Sequence, residues 1–467
     1  MYKRSLTARG QPQEIAPPDA PLLLPKVFAF WGALTVGVWV FPAMMPVVGL
    51  GLAAYALRGP KAAIQALTVL FFLLYLNPLI AIRPALMTLR WLVLAAAFGR
   101  VVWDSLFDHS EARVTALPQL FLFAIVVFIL TLLASYGQLI SILKLISFTV
   151  GVVVVLTSFH RTRHLRAYWL AWFFTLFFFT GVASLPFYGT EIGYARGALG
   201  FQGITNHPQA FGPLMVPLTA WLMGRIFFMK DRSWVMIAGV SVGWFSIFTS
   251  LSRTSPLAIF ISFVITLCLG LVHPRWRHAF KSTYIRPLPL LFLGVMMGLL
   301  WLQWPTFQEY TAQILLKKTP GLSYEEAFQL SRGRMIEASM NNFRKEPLTG
   351  IGFGVPSEFT FSFYQVRTNN VLGLPMSAFV EKGFLPSALL EEIGITGMIV
   401  FLVFILALMR PVLARGDPAL FWMFTACLAI NVGEMVFFSI GGFGLYLWLL
   451  IGFATVCSTD VPEETTR

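Results

Sequence analysis

The feature that most constrains this chain is a succession of apolar runs, each near the length needed to cross a bilayer. The hydrocarbon core of a membrane is about 30 Å thick, and a helix crosses it in roughly 20 residues. By that measure about fourteen candidate runs lie near residues 24–40, 43–57, 62–82, 85–106, 117–134, 138–157, 167–185, 209–229, 234–251, 255–272, 287–303, 385–409, 418–438 and 441–457. Lipid offers no water to bond open backbone groups, so each run reads as a helix. The first two are short and interrupted by Pro42 and Pro46, which suits a hairpin that does not fully cross and lowers the count to about twelve. The expected fold class is all-α: a polytopic membrane bundle of about 12–14 transmembrane helices, with one long loop.

Composition excludes the soluble classes. The chain is 57% hydrophobic and 12% charged, where soluble domains carry about 25% charge. A net charge of +13 would raise nucleic acid as the partner of a soluble protein. Here the basic residues sit in short loops between apolar runs, so no nucleic acid is expected. Cys268, Cys427 and Cys457 lie in or at the end of apolar runs, which fits neither a disulfide framework nor a thiolate metal site. Pro12, Pro17 and Pro18 separate the basic start from the first run, and no small-residue cleavage site follows closely, so the first segment is expected to remain as an uncleaved span.

Charge sets the orientation. Arg58/Lys61, Arg161/Arg163/Arg166, Arg225/Lys230/Arg232, Arg275/Arg277/Lys281/Arg286 and Arg410/Arg415 fall in alternate loops, all on one side. By the positive-inside rule that side is cytoplasmic. Residues 1–23 and 458–467 then form cytoplasmic tails, 24–303 and 385–457 hold the spans, and two loops face outward: 186–207, and the long hydrophilic segment 304–384. A structureless loop of that length is unusual, so amphipathic helices are expected within it. Ile336, Met340 and Phe343 recur at helical spacing before Pro347, predicting a helix that lies along the membrane surface as a lid. Gly350-Ile351-Gly352-Phe353-Gly354 follows as a tight turn. No strand precedes it, which argues against a dinucleotide loop.

The outer face is poor in metal ligands. All six Asp residues fall in tails or expected cytoplasmic regions, and His207 is the one histidine expected outside. Outward-facing chemistry should therefore need neither a metal nor another cofactor. What the outer face does hold is arginine: Arg196 in the shorter loop, Arg253 at the mouth of a helix, and Arg332 and Arg334 opening the long-loop helix. The guanidinium fork suits phosphate oxygens. The same arginines could instead pair with Glu191, Glu309, Glu337 or lipid headgroups.

Several of these segments have a common likeness. Tyr194-Ala195-Arg196-Gly197 with Gly203-Ile204-Thr205-Asn206-His207-Pro208-Gln209-Ala210-Phe211-Gly212 resembles the outer-loop signature of the O-antigen ligase and polymerase superfamily. Ser252-Arg253-Thr254 resembles its Ser-Arg pair. Arg334 followed by Pro347-Leu348-Thr349-Gly350-Ile351-Gly352-Phe353-Gly354 is similar to its long-loop pattern, and Glu391-Glu392-Ile393-Gly394-Ile395-Thr396-Gly397 to the segment that re-enters the membrane. The likeness covers roughly residues 190–410. It implies a metal-independent glycosyltransferase of the bacterial inner membrane. Such an enzyme moves a glycan from an undecaprenyl-pyrophosphate carrier to a glycan or lipid acceptor, on the outer side and among other polysaccharide assembly proteins. By the same resemblance Arg196 and Arg253 bind pyrophosphate, and Arg334 binds donor or acceptor. Ligases of this family typically carry a His-Asn pair just before the re-entrant helix; this chain has Glu381-Lys382-Gly383-Phe384 there. That departure favours a polymerase of O-antigen or exopolysaccharide over a lipid A-core ligase.

The chemistry can also be read from the residues themselves. A sugar hydroxyl needs its proton removed as it attacks, and Glu381 is a plausible base with His207 the alternative. Pyrophosphate gathers charge as it leaves, and arginines would stabilise it there. Plainer roles stand beside these. His207 could cap the following helix, Glu381 could pair with Lys382 or Arg334, Glu391 and Glu392 suit the start of a helix, and Lys144 and Glu434 could pair with each other or with lipid headgroups. The Phe stripe at 173–179 reads as lipid-facing or core packing. The rival class is a lipid-linked glycan flippase, which should show repeats and midplane charges.

Overall fold

A computed structural model describes residues 22–81, 84–107, 114–195, 200–231, 233–272, 276, 294, 333–357, 367–368, 375–377 and 382–456. The described chain is mostly helical. In order it forms α1 (Pro25–Val40), α2 (Met45–Ala56), α3 (Pro60–Tyr75), α4 (Pro84–Phe107), α5 (Leu117–Ala134), α6 (Gln138–Arg161), α7 (Arg166–Ser184), α8 (Pro208–Met229), α9 (Trp234–Thr249) and α10 (Thr254–Val272). Then come α11 (Arg334–Lys345), α12 (Leu385–Arg415), α13 (Pro418–Ala429) and α14 (Phe443–Val456), with one short antiparallel pair, β1 (Arg367–Thr368) and β2 (Pro375–Ser377).

Proline marks many of the starts. It sits in the first two positions of α1, α2, α3, α5, α8, α12 and α13, where its missing N–H costs nothing and its φ is already helical. Asp417 caps α13 by accepting from the amides of Ala419 and Leu420, both at 3.0 Å. Inside the helices, hydroxyls such as Thr68, Thr175, Thr180 and Thr219 donate to the carbonyl one turn back, which satisfies them without water.

Every apolar run named above lies on a helix except 287–303, which falls almost wholly outside the described residues. Their lengths are uneven, and among the described residues fewer of them reach full-span length than the sequence suggests. Among the described residues six helices are long and apolar enough to cross a membrane: Leu86–Phe107, Leu117–Ala134, Gln138–Arg161, Arg163–Phe187, Pro208–Met229 and Leu385–Arg415. Five more apolar helices are shorter than that, and α1 and α2 form one pair bent by 108° at their break. The runs at 418–438 and 441–457 each shorten because residues 430–442 leave the helix. This irregular backbone is held by the protein rather than by lipid, as it must be. Asn431 donates to the Cys427 carbonyl and accepts from the Val436 amide, the Trp448 indole donates to the Phe437 carbonyl, and Arg90 donates to the Gly441 carbonyl.

The bundle is sorted from inside to outside. In α8, 94% of the spanning window is buried, against 22% in α5. Around α8 the contacts are made by small residues: Gly224 lies on Ala419 of α13, while Gly239 and Gly243 of α9 lie on Leu222 and Thr219. Such residues let helix backbones approach in the absence of a hydrophobic drive between helices. The peripheral helices expose large apolar side chains, for example Phe121, Leu122, Ile125 and Leu133 of α5 and Ile399, Leu402 and Leu406 of α12. That is the surface of a protein solvated by lipid. Within the Phe stripe, Phe173, Phe174, Phe177 and Phe179 are all buried, so core packing is its role.

Candidate functional site

The irregular segments gather at one end of the bundle. Following α3, Asn77 donates its backbone N–H to the Ile204 carbonyl (2.8 Å) and its side chain to those of Ile192 and Gly203, while Asn206 donates to Tyr75. The Phe201 amide donates to the Thr249 carbonyl at 2.9 Å, tying the loop before α8 to the end of α9. Thr254, opening α10, packs on Gly433 of the unwound 430–442 segment. From there Phe438 meets the ring of Phe353, centroids 4.9 Å apart, and the Tyr136 amide between α5 and α6 donates to Ile351. These contacts join into a continuous cap of loops.

One side of the cap is a clasp between two distant segments. At Gly394 (φ 61°, ψ −171°) α12 breaks its helical geometry, a conformation open essentially to glycine alone. The break frees backbone groups, and the glycine turn 350–354 takes them up. Ile351 and Gly352 donate to the carbonyls of Glu391 and Glu392 at 2.8 and 3.0 Å, while Ile395 donates to the Pro347 carbonyl at 2.9 Å. Gly350 and Gly352 also have positive φ. A side chain at Gly350 would meet the backbone of Glu392 and Ile393, and one at Gly354 would meet Lys144.

A buried ion cluster locks the clasp. The Glu391 side chain is 0% exposed and accepts from Ser339 (2.6 Å), Asn342 (2.8 Å) and Ser357 (3.1 Å), with the Lys382 ammonium 3.0 Å away. Glu392, also 0% exposed, accepts from the Gly354 amide at 2.6 Å and lies 3.3 Å from Lys382 and 3.7 Å from Lys144. Lys382 is 1% exposed and Lys144 24%. Two ammonium groups thus face two carboxylates and the charge balances, which burial at this depth requires. Lys144 also lies over the Phe353 ring, 4.9 Å from its centroid.

This cluster was missed in the sequence. Glu391 and Glu392 read there as first-turn acids, but α12 starts at Leu385, so they lie in its second turn and are held by side chains. Lys144 pairs with Glu392 rather than with Glu434. One clue was available: a lysine inside an apolar run demands a counter-charge, and two adjacent glutamates stood at the start of another run. Helix α11 forms where Ile336, Met340 and Phe343 predict it, but its Ser339 is buried and its Asn342 reaches Glu391. It is therefore docked on α12, not laid out as a free lid.

His207 and Arg253 flank the contact between the loop before α8 and the α9–α10 turn. His207 caps α8, its Nδ1 accepting from the Gln209 amide at 3.1 Å. A neutral imidazole that accepts at Nδ1 keeps its proton on Nε2. In that tautomer Nε2 offers an N–H and no lone pair, so the cap and a base role exclude each other. Arg253 is exposed, two residues after Leu251, which holds a left-handed φ of 53°. Hydroxyls crowd behind it, with Ser255 donating to Ser252 at 3.0 Å and Gly212 of α8 lying against both. Arg334 is exposed in the first turn of α11. Arg196 and Glu381 lie outside the described residues. Among the described residues no group of three or more His, Cys, Asp or Glu converges as a metal ion would need. No protein-family model matches the chain, and no curated protein matches it either.

Proposed function

We propose that this protein is a membrane glycosyltransferase of the polysaccharide polymerase and ligase type. It acts at the loop cap on a glycan carried by undecaprenyl pyrophosphate. The observation that carries this reading is the clasp: Pro347–Gly354 and Glu391–Gly397, two of the segments in which the chain resembles that superfamily, are locked together on the same loop cap as His207 and Arg253. In this reading the protein lies in the bacterial inner membrane with both termini cytoplasmic and the cap facing outward, as the resemblance and the positive-inside pattern support.

In this reading the acceptor hydroxyl attacks the anomeric carbon of the donor glycan as the bond to pyrophosphate breaks. Glu381 takes the hydroxyl proton, since the cap on α8 occupies the lone pair that His207 would need. The polyprenyl pyrophosphate leaves with its negative charge, which Arg253 and Arg196 stabilise more in the transition state than before it, while Arg334 holds donor or acceptor. No metal or other cofactor takes part. Growth of the carrier-linked glycan itself is the leading activity, given Glu381-Lys382 where ligases carry His-Asn; transfer to a lipid A-core or other acceptor is the alternative.

A flippase for lipid-linked glycans is the second reading, favoured by the unwound segment between α13 and α14 and by the buried charges beneath the cap. The test uses purified protein, a defined undecaprenyl-pyrophosphate oligosaccharide and excess chelator. A ladder of longer carrier-linked glycans supports the polymerase, and transfer only on adding an acceptor supports the ligase. No transfer with any acceptor, together with movement of the oligosaccharide lipid across a vesicle, overturns the enzyme in favour of the flippase.

A further inference from the structure

One cation in the bundle has no counterpart to the clasp. Arg90 lies in α4, about one turn into the span that starts at Leu86. Its Nη1 donates to the Gly441 carbonyl at 2.8 Å, and its guanidinium lies 4.8 Å from the centroid of the Trp91 ring. Its Nε is buried with no hydrogen-bond partner, and no carboxylate among the described residues pairs with it. Each of the other buried cations described above is matched by an acid. Arg90 sits instead in a crevice walled by Leu67, Leu70 and Leu74 of α3, Leu94 of α4 and Leu445 of α14. The enclosed room is about 10 Å³, too small for a phosphate, so an anion would meet the guanidinium at the mouth, where Arg90 and Trp91 keep part of their surface exposed.

An arginine at membrane depth is costly unless an anion or an aqueous interface receives it. The guanidinium fork fits phosphate oxygens, and basic pockets between membrane helices take lipid headgroups. We propose that Arg90, at the mouth of the crevice between α3, α4 and residues 440–445, binds the phosphate of a membrane lipid beside the partly exposed Trp91 ring. Gly441 belongs to the site, because a Cβ there would stand 3.0 Å from the guanidinium carbon of Arg90. The site stands independently of glycan transfer.

The test is native mass spectrometry of the full chain with three probes: phosphatidylglycerol, undecaprenyl phosphate and uncharged diacylglycerol. Wild type should retain a phosphate-bearing lipid and not diacylglycerol. Which of the two phosphates it retains tells a phosphoglyceride from an isoprenoid. Arg90→Gln should weaken retention about tenfold, the size of one charge-assisted hydrogen bond, and Gly441→Ala should weaken it as well. Arg100→Gln, lower on the same helix and paired with Asp104, should not. Equal retention by wild type and Arg90→Gln, or equal retention of diacylglycerol, overturns the proposal. Should the variants fail to fold, crosslinking of a diazirine phosphatidylglycerol or a diazirine undecaprenyl phosphate to wild type decides it. Label from either at Trp91 supports the site, and its absence there from both overturns it.

Discussion

Replacing Lys382 by methionine removes one ammonium from the clasp and keeps most of its volume. Glu391 and Glu392 are both 0% exposed, and Lys382 is the cation nearest to each, at 3.0 and 3.3 Å. The remaining cation, Lys144, is 3.7 Å from Glu392 and partly exposed. Removing one partner of a buried ion pair costs about 3–5 kcal/mol, because the other charge is left uncompensated. At about 1.4 kcal/mol per factor of ten, the clasp should open more than about 100-fold more often. Hydrogen–deuterium exchange in lipid nanodiscs reads this locally, at the amides of Ile351, Gly352, Gly354 and Ile395 that bridge the two segments. Those four should exchange faster together, while amides of α8 stay unchanged. Lys144→Met should have a smaller effect, about 1 kcal/mol, as a longer and partly solvated pair. Adding Glu391→Gln to Lys382→Met should recover part of the loss by restoring charge balance. Unchanged exchange at the four amides in Lys382→Met would refute the view that this cluster holds the clasp.

Gly394→Ala forces a side chain into a glycine-only backbone conformation against the backbone of Leu348; it should cost about 1–3 kcal/mol, measured as faster thermal inactivation. His207→Asn should keep both the α8 cap and glycan transfer, because asparagine is a good cap, whereas His207→Ala should lower thermal stability by about 1 kcal/mol. Loss of transfer in the asparagine variant, with stability intact, would restore His207 as the base. Asp417→Ala removes the acceptor for two amides at the start of α13, and a loss of about 1 kcal/mol should appear in the same thermal measurement.

The helices were legible in the sequence because an apolar run reports burial in lipid or protein alike. The same property hid the number of full crossings. The run at 418–438 reads as one span, yet its backbone leaves the α-helix after Ala429, first as a 3-10 turn, because Asn431 and Trp448 satisfy it from nearby and Arg90, far away in the chain, takes up the Gly441 carbonyl just beyond it. The glycine turn was visible, since glycine is the residue that takes positive φ at no steric cost, as Gly350, Gly352 and Gly354 do. Its partner was not: the Gly394 break lies within an apolar stretch, where a glycine passes as a packing residue. The ion cluster was hidden for the same reason, because Lys144, Lys382 and the two glutamates come from three separate stretches. His207 could be read as cap or base from sequence, and only the direction of the Gln209 hydrogen bond separates them.

We propose the loop cap as the reactive end of a glycan-transferring membrane protein. Its most direct test compares the transfer rate from undecaprenyl-pyrophosphate oligosaccharide for wild type, Arg253→Ala and Arg58→Ala. Arg253 stands in the cap, whereas Arg58 lies in the α2–α3 turn, on the side the charge pattern makes cytoplasmic. Arg253→Ala should slow transfer about 100-fold or more, the loss seen when one donor to a developing anion is removed, and Arg58→Ala should stay within about twofold. Equal rates for all three proteins would mean that the loop cap is not where transfer occurs.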